Sequence, residues 1–153
     1  MKVTSNAGDW RSTSELAIFH VGDITCALQS IEVQEIIKNQ EITVVHHAPD
    51  YVKGVINLRG QIVTIISMHK KFNIDSDTEK AGEMQIVVVK KGEESVGLLV
   101  DSVDDILMAQ TDAIENPPSN LQGIKGTYFT GIYKKEDELV AILNIEEILA
   151  IDN

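Results

Sequence analysis

Cysteine is nearly missing from this 153-residue chain: Cys26 stands alone, so no intrachain disulfide can form, and the composition fits a reducing compartment. Basic residues are scarce, with 13 Lys and Arg against 24 Asp and Glu and a formal net charge of -11. That balance repels phosphate backbones and acidic membrane surfaces, which argues against nucleic acid as a partner. Aromatic residues make up only 5%, too few for base-stacking platforms. No apolar run approaches the roughly 18 residues needed to span a bilayer. The start "MKVTSNAGDWRSTS" lacks the apolar centre of a signal peptide, so neither direct membrane insertion nor export is expected. Gly-rich phosphate loops, Ser or Cys elbows and cofactor fingerprints are missing too, so no enzyme and no cofactor are expected. What remains is a cytoplasmic protein that binds other proteins.

The chain is long enough to bury a sizeable core. Residues 1–14 are mostly polar and rich in Ser and Thr, with Trp10 alone offering an anchor, and read as a disordered tail. From Glu15 the apolar positions come in short runs rich in β-branched residues, broken by Gly, Asn, Asp or Pro: "LAIFHVGD", "ITCALQ", "GVINLRG", "IVTIIS", "MQIVVVKKGE", "SVGLLVD" and "TGIYKKEDELVAIL". This is an all-β rhythm. Two pieces depart from it, "SMHKKF" and "NIEEILA", each opening with a Ser or Asn suited to capping a short helical turn.

An internal repeat organises these runs. Set over "GEESVGLLVDSVDDIL" at an offset of 70 residues, "GDITCALQSIEVQEII" places Gly22, Leu28, Val33 and Ile36 on Gly92, Leu98, Val103 and Ile106. Set over "YFTGIYKKEDELVAILNIEEIL" at an offset of 77, "YVKGVINLRGQIVTIISMHKKF" places Tyr51, Gly54, Val63 and Ile65 on Tyr128, Gly131, Val140 and Ile142. The second copy carries its extra residues in a middle loop that contains "ENPPSNLQG". Each copy suits a small closed barrel that leaves no long free edge. The runs "IVTII" and "IVVVK" are apolar on both faces, so one face is expected to fill a barrel and the other to pack between the two. The reading is one unit over 15–153, with a first subdomain at about 15–83 and a second at about 84–151.

The repeat also provides an internal control. At the hairpin tip where copy one has "NLRGQ", copy two has "KKEDE", an ordinary charged turn. The scaffold therefore does not require Leu58 or Arg59. Pairing of Arg59 with a nearby carboxylate such as Glu35 or Asp50 is the bland alternative. An exposed leucine beside a planar five-donor guanidinium is a common composition for a binding hot spot.

Other groupings carry less. His46 and His47 are adjacent and point to opposite sides of an extended segment, and with His20, His69 and Cys26 scattered elsewhere no metal site is expected. Cys26 reads as a small buried hydrophobe. Glu35, Asp104 and Asp105 read as solvated carboxylates of an acidic protein.

These residues resemble the CheW-like adaptors of bacterial chemotaxis. The matching segments are "VQEII", "YVKGVINLRGQIVTIISMHKKF", "VGLLVDSVDDIL", "YFTGIY" and "LVAILNIEEIL", in family order, with "KGVINLRG" the most specific. The resemblance implies two SH3-like five-stranded barrels around a shared intermediate core, with no catalysis. It implies two partners: the cytoplasmic tip of methyl-accepting chemoreceptors and the regulatory domain of the CheA histidine kinase. It further implies recruitment of a cytoplasmic protein to membrane receptor arrays. Carried over by position, Val33, Glu35, Leu58, Arg59 and Val103 are expected at the receptor-binding groove, and Ile36 and Gly54 at kinase contacts, with Gly54 also matching a backbone position that needs to be bare. The family usually writes "PVIDLR" where this chain has "TIISMH", so Thr64, Ser67 and His69 stand in place of Pro, Asp and Arg. Loss of a surface charge at 69 would bear on partner choice. The adaptor portion of a CheV-type protein and the scaffold of an accessory chemosensory system are the alternatives within the family.

Overall fold

A computed structural model describes residues 12–74 and 83–150. Copy one begins with β1 (Thr13–Val21) and β2 (Ile24–Gln29), paired antiparallel around a turn at Gly22, whose φ of 59° suits glycine. A single 3-10 turn, Ser30–Glu32, leads to β3 (Val33–Lys38). After a loop come β4 (Val52–Leu58), β5 (Gln61–Ser67) and the short helix α1 (Met68–Lys71). Copy two repeats the order: β6 (Gln85–Lys91), β7 (Glu94–Val100), β8 (Ser102–Gln110), a middle loop, then β11 (Phe129–Lys135), β12 (Glu138–Leu143) and the helix α2 (Ile145–Leu149). The middle loop folds on itself as the two-residue strands β9 (Asn120–Leu121) and β10 (Ile124–Lys125). Thr13 and Ser14, expected in the tail, extend the β1 ladder against Gln110 and Ala109. Residues 1–11 of the expected tail lie outside the described residues.

The strands form two five-stranded sheets of matching order, β3-β6-β7-β5-β4 and β8-β1-β2-β12-β11. The sheets are not the two sequence copies. β1 and β2 of copy one sit with β8, β11 and β12 of copy two, while β6 and β7 of copy two sit with β3, β4 and β5 of copy one. The expected boundary near 83/84 thus separates the copies but not the barrels. At the joints, Ser30–Glu32 carries the chain from β2 to β3 and Asp101 carries it from β7 to β8, and at each of them the copy passes into the opposite sheet. The repeat holds to the register. Gly54 faces Ile65 and Gly131 faces Ile142, each next to a β-bulge, and the parallel pairs Ile65↔Gly97 and Ile142↔Ala27 correspond.

Three cores follow from the period-two alternation of strands. In β6, Ile86 and Val88 fill one barrel with Ile56, Val63 and Ile65, while Val87 and Val89 face a core shared by both sheets. In β1, Leu16 and Ile18 fill the other barrel with Val140 and Ile142, while Phe19 and Val21 face the shared core. This is why "IVVVK" is apolar on both faces; in "IVTII", Val63 and Ile65 fill the barrel and Ile66 joins the shared core, while Ile62 is exposed. Burying one such side chain contributes about 1.5–3 kcal/mol, so the shared core ties the barrels firmly together. Both helices are capped as their sequences predict: Ser67 Oγ accepts the Lys70 N–H, and Asn144 Oδ1 accepts the Glu147 N–H.

Candidate protein-binding site

The β4–β5 hairpin reverses through Arg59 and Gly60, with φ of 52° and 87°. Asn57 Oδ1 accepts the Gly60 N–H at 2.8 Å, an Asx bond that sets the turn. β4 and β3 are the outer strands of their sheet, so the hairpin tip stands across the open side of the barrel from β3. There the Arg59 guanidinium pairs with the Glu35 carboxylate, Arg59 remaining 68% exposed and Glu35 25%. Glu35 is thus the carboxylate partner, not Asp50. The equivalent turn of copy two also has a positive φ, 54° at Glu136, so the backbone is common and the Arg59–Glu35 pair belongs to copy one alone.

Leu58 corrects the expectation of an exposed leucine. It is half-buried and, like Ile37 and Ile42, packs against the barrel core, because it lies two residues beyond core Ile56 on the same face of β4. Ile62, on the same hairpin, is 62% exposed, and Ile36, on β3, is 41% exposed. Ile62 was not singled out from sequence. Its signal was the alternation with buried Val63, repeated in copy two by exposed Leu139 beside buried Val140.

Val33 and Glu35 are on β3, with Val33 half-buried against the shared core. Val103 packs against the same core but sits on β8, in the other sheet, where its N–H donates to Gln85 Oε1 at 3.0 Å. The fold therefore joins Glu35, Arg59 and Leu58 in one barrel and sets Val103 at the matching place of the other. Gly54 is buried with φ 149°, and a Cβ there would stand 2.0 Å from the Thr43 carbonyl oxygen. Thr43 and Val55 exchange two backbone bonds of 2.8 Å at this point, so Gly54 lets the 39–51 loop lie on the hairpin.

His69 is fully buried, and its Nε2 lies 2.9 and 3.0 Å from the two Asp101 carboxylate oxygens. Asp101 also accepts the Gly22 N–H. Position 69 therefore faces inward in this chain and secures the β7–β8 crossing, which removes it from any partner surface. Ser67, fully buried, serves as a cap, and Thr64 is half-buried. Near the opposite crossing, burial raises the Glu32 carboxyl while the Gln29 N–H lowers it, burial being the larger effect. His46 and His47 are exposed, and among the described residues no group of three or more His, Cys, Asp or Glu is placed to hold a metal ion. Cys26 is fully buried and its thiol is pushed far up by desolvation.

The family model described as "CheW-like domain" matches residues 15–152. The chain belongs to that family. A solved CheW structure, titled a scaffolding protein from Thermoanaerobacter tengcongensis, superposes with a TM-score of 0.83 at 27% identity, covering 91% of this chain and 89% of that one. Chemotaxis protein CheW of Klebsiella aerogenes is 30% identical over 136 residues, 89% of this chain and 81% of the relative. Chemotaxis protein CheA of Bacillus subtilis is 31% identical over 75 residues, 49% of this chain and 10% of that protein. The two SH3-like barrels of the CheW-like fold are the two five-stranded sheets described above. Among the described residues no helix is long and apolar enough to cross a membrane.

Proposed function

We propose that this CheW-like chain is a non-catalytic chemotaxis adaptor that couples the cytoplasmic tip of a transmembrane chemoreceptor to the regulatory domain of a CheA-type kinase, as a cytoplasmic protein recruited to receptor arrays. The observation that carries the reading is the Arg59–Glu35 pair at the mouth of one barrel, present in copy one and replaced by Glu136 and Asp105 in copy two. A guanidinium left 68% exposed with remaining donors, on the same hairpin as exposed Ile62, has the composition of an interface anchor. Its carboxylate partner keeps it oriented before docking, which lowers the ordering cost of association.

No bond is made or broken in this role. The adaptor holds kinase and receptor in one geometry, and a receptor change acts through differential contact energy, of which about 1.4 kcal/mol shifts a two-state equilibrium tenfold. Val33 and Val103, equivalent in the repeat and both seated on the shared core, would keep the faces around them in fixed relation. Co-sedimentation of the purified chain with a receptor cytoplasmic fragment and CheA tests the reading. A ternary complex is expected, and failure of the chain to join either partner would overturn it.

A further inference from the structure

The two barrels have the same open seam, between β3 and β4 in one and between β8 and β11 in the other, yet only one is filled. In the first, Leu58 packs on the barrel core beside Ile37 and Ile42, and Arg59 closes over Glu35. In the second, Leu107 and Ile114 repeat the roles of Ile37 and Ile42, but Lys135 stands in Leu58's place and Glu136 in Arg59's. The result is a cleft of about 340 Å³ floored by Ile18, Leu107 and Val140 and rimmed by Asp104, Asp105 and Glu138, with Lys135 at one side. That volume is at the small end for ligand pockets, suited to a side chain more than to a cofactor.

We propose that this seam is a second protein-binding site, which receives an arginine with an apolar neighbour from a partner protein. Three carboxylates against one lysine select a cation, and the apolar floor takes the stem or the neighbouring side chain. Asp104 is held by His20 at 2.6 Å and Glu138 accepts from Thr25 at 2.9 Å, whereas the Asp105 carboxylate has no side-chain partner among the described residues. Asp105 is the repeat equivalent of Glu35, the residue that binds Arg59 in the filled seam. The chain thus contains a template of the complex within itself. Its own Arg59 is engaged at Glu35, with Leu58 on the core, so the occupant comes from a different protein.

The test is titration of the ¹⁵N-labelled chain with a capped hexapeptide of sequence INLRGQ, copied from the filled seam. Saturable amide shifts confined to 103–107 and 135–140 are expected, with affinity falling about tenfold in Asp105→Asn. The same peptide with glutamate for arginine should produce no shifts in the unmutated chain. The double substitution Lys135→Leu with Glu136→Arg should fill the seam in cis and abolish binding. Shifts at 33–37 and 58–62 instead, unchanged affinity in Asp105→Asn, or no saturable shift at millimolar peptide would overturn the proposal. So would shifts of the same seam on concentrating the chain alone, which would mark a second copy as the occupant.

Discussion

Arg59 and Glu35 lie 24 residues apart in sequence and meet across the open side of one barrel, guanidinium against carboxylate. The pair links the hairpin tip to β3, the opposite outer strand, and so closes the seam that the sheet's hydrogen bonds leave open. Because Arg59 is mostly exposed, the pair contributes little to stability, on the order of 1 kcal/mol or less. Its part is to orient a binding group.

Gly54 bears a heavier structural demand. Replacing it with alanine forces a Cβ into the Thr43 carbonyl and a side chain into a glycine conformation. Gly54→Ala should lose more than about 2 kcal/mol of stability, read as a fall in the urea midpoint with unchanged m-value. An unchanged midpoint would show that the loop lifts off the hairpin at no cost.

His69 and Asp101 should behave as a coupled pair. Either His69→Ala or Asp101→Ala removes the hydrogen bond between them, an expected loss of about 1–3 kcal/mol, with Asp101→Ala also freeing the Gly22 N–H. Because each removes the same contact, the double variant should lose less than the two singles added together. Strict additivity in urea unfolding would contradict the assignment of this pair as the tie at the β7–β8 crossing.

Lys71 is buried with its Nζ 3.9 Å from the centroid of Tyr51 and 5.6 Å from that of Tyr128, and it donates to the Ala150 carbonyl at 3.1 Å. The two tyrosines are repeat equivalents, so one ammonium joins the two copies. Lys71→Ala should cost about 2–3 kcal/mol, and Lys71→Met, which keeps the stem packing, should cost less. Equal losses in thermal unfolding would assign the effect to the ammonium alone, and no loss in Lys71→Met would assign it to packing.

Much of this was legible in sequence, because the repeat and the alternation of apolar residues are local patterns. "IVVVK" announced two buried faces, and Ser67 and Asn144 announced their helices. The exchange of strands between copies was not legible. It depends on which strands pair on either side of the Ser30–Glu32 and Asp101 joints, and that is a long-range choice that no local pattern carries. Glu35 could be named as one of two partners for Arg59, while Leu58, two residues beyond core Ile56, shares its inward face at a hairpin tip expected to be solvated. The burial of His69 was equally hidden, since its partner Asp101 is 32 residues away.

Cys26 gives a chemical check on the shared core. Burial keeps its thiol protonated through the neutral range, so the native protein should resist alkylation by iodoacetamide at pH 8 and react fully once unfolded in urea. Rapid reaction of the native chain would mean that the shared core opens.

The most direct measurement compares the unmutated chain with Arg59→Ala in ternary co-sedimentation with a receptor cytoplasmic fragment and CheA, alongside thermal unfolding of each. The account predicts that Arg59→Ala folds with nearly unchanged Tm and loses most receptor coupling. Ternary assembly by Arg59→Ala at the full level of the unmutated chain would contradict it.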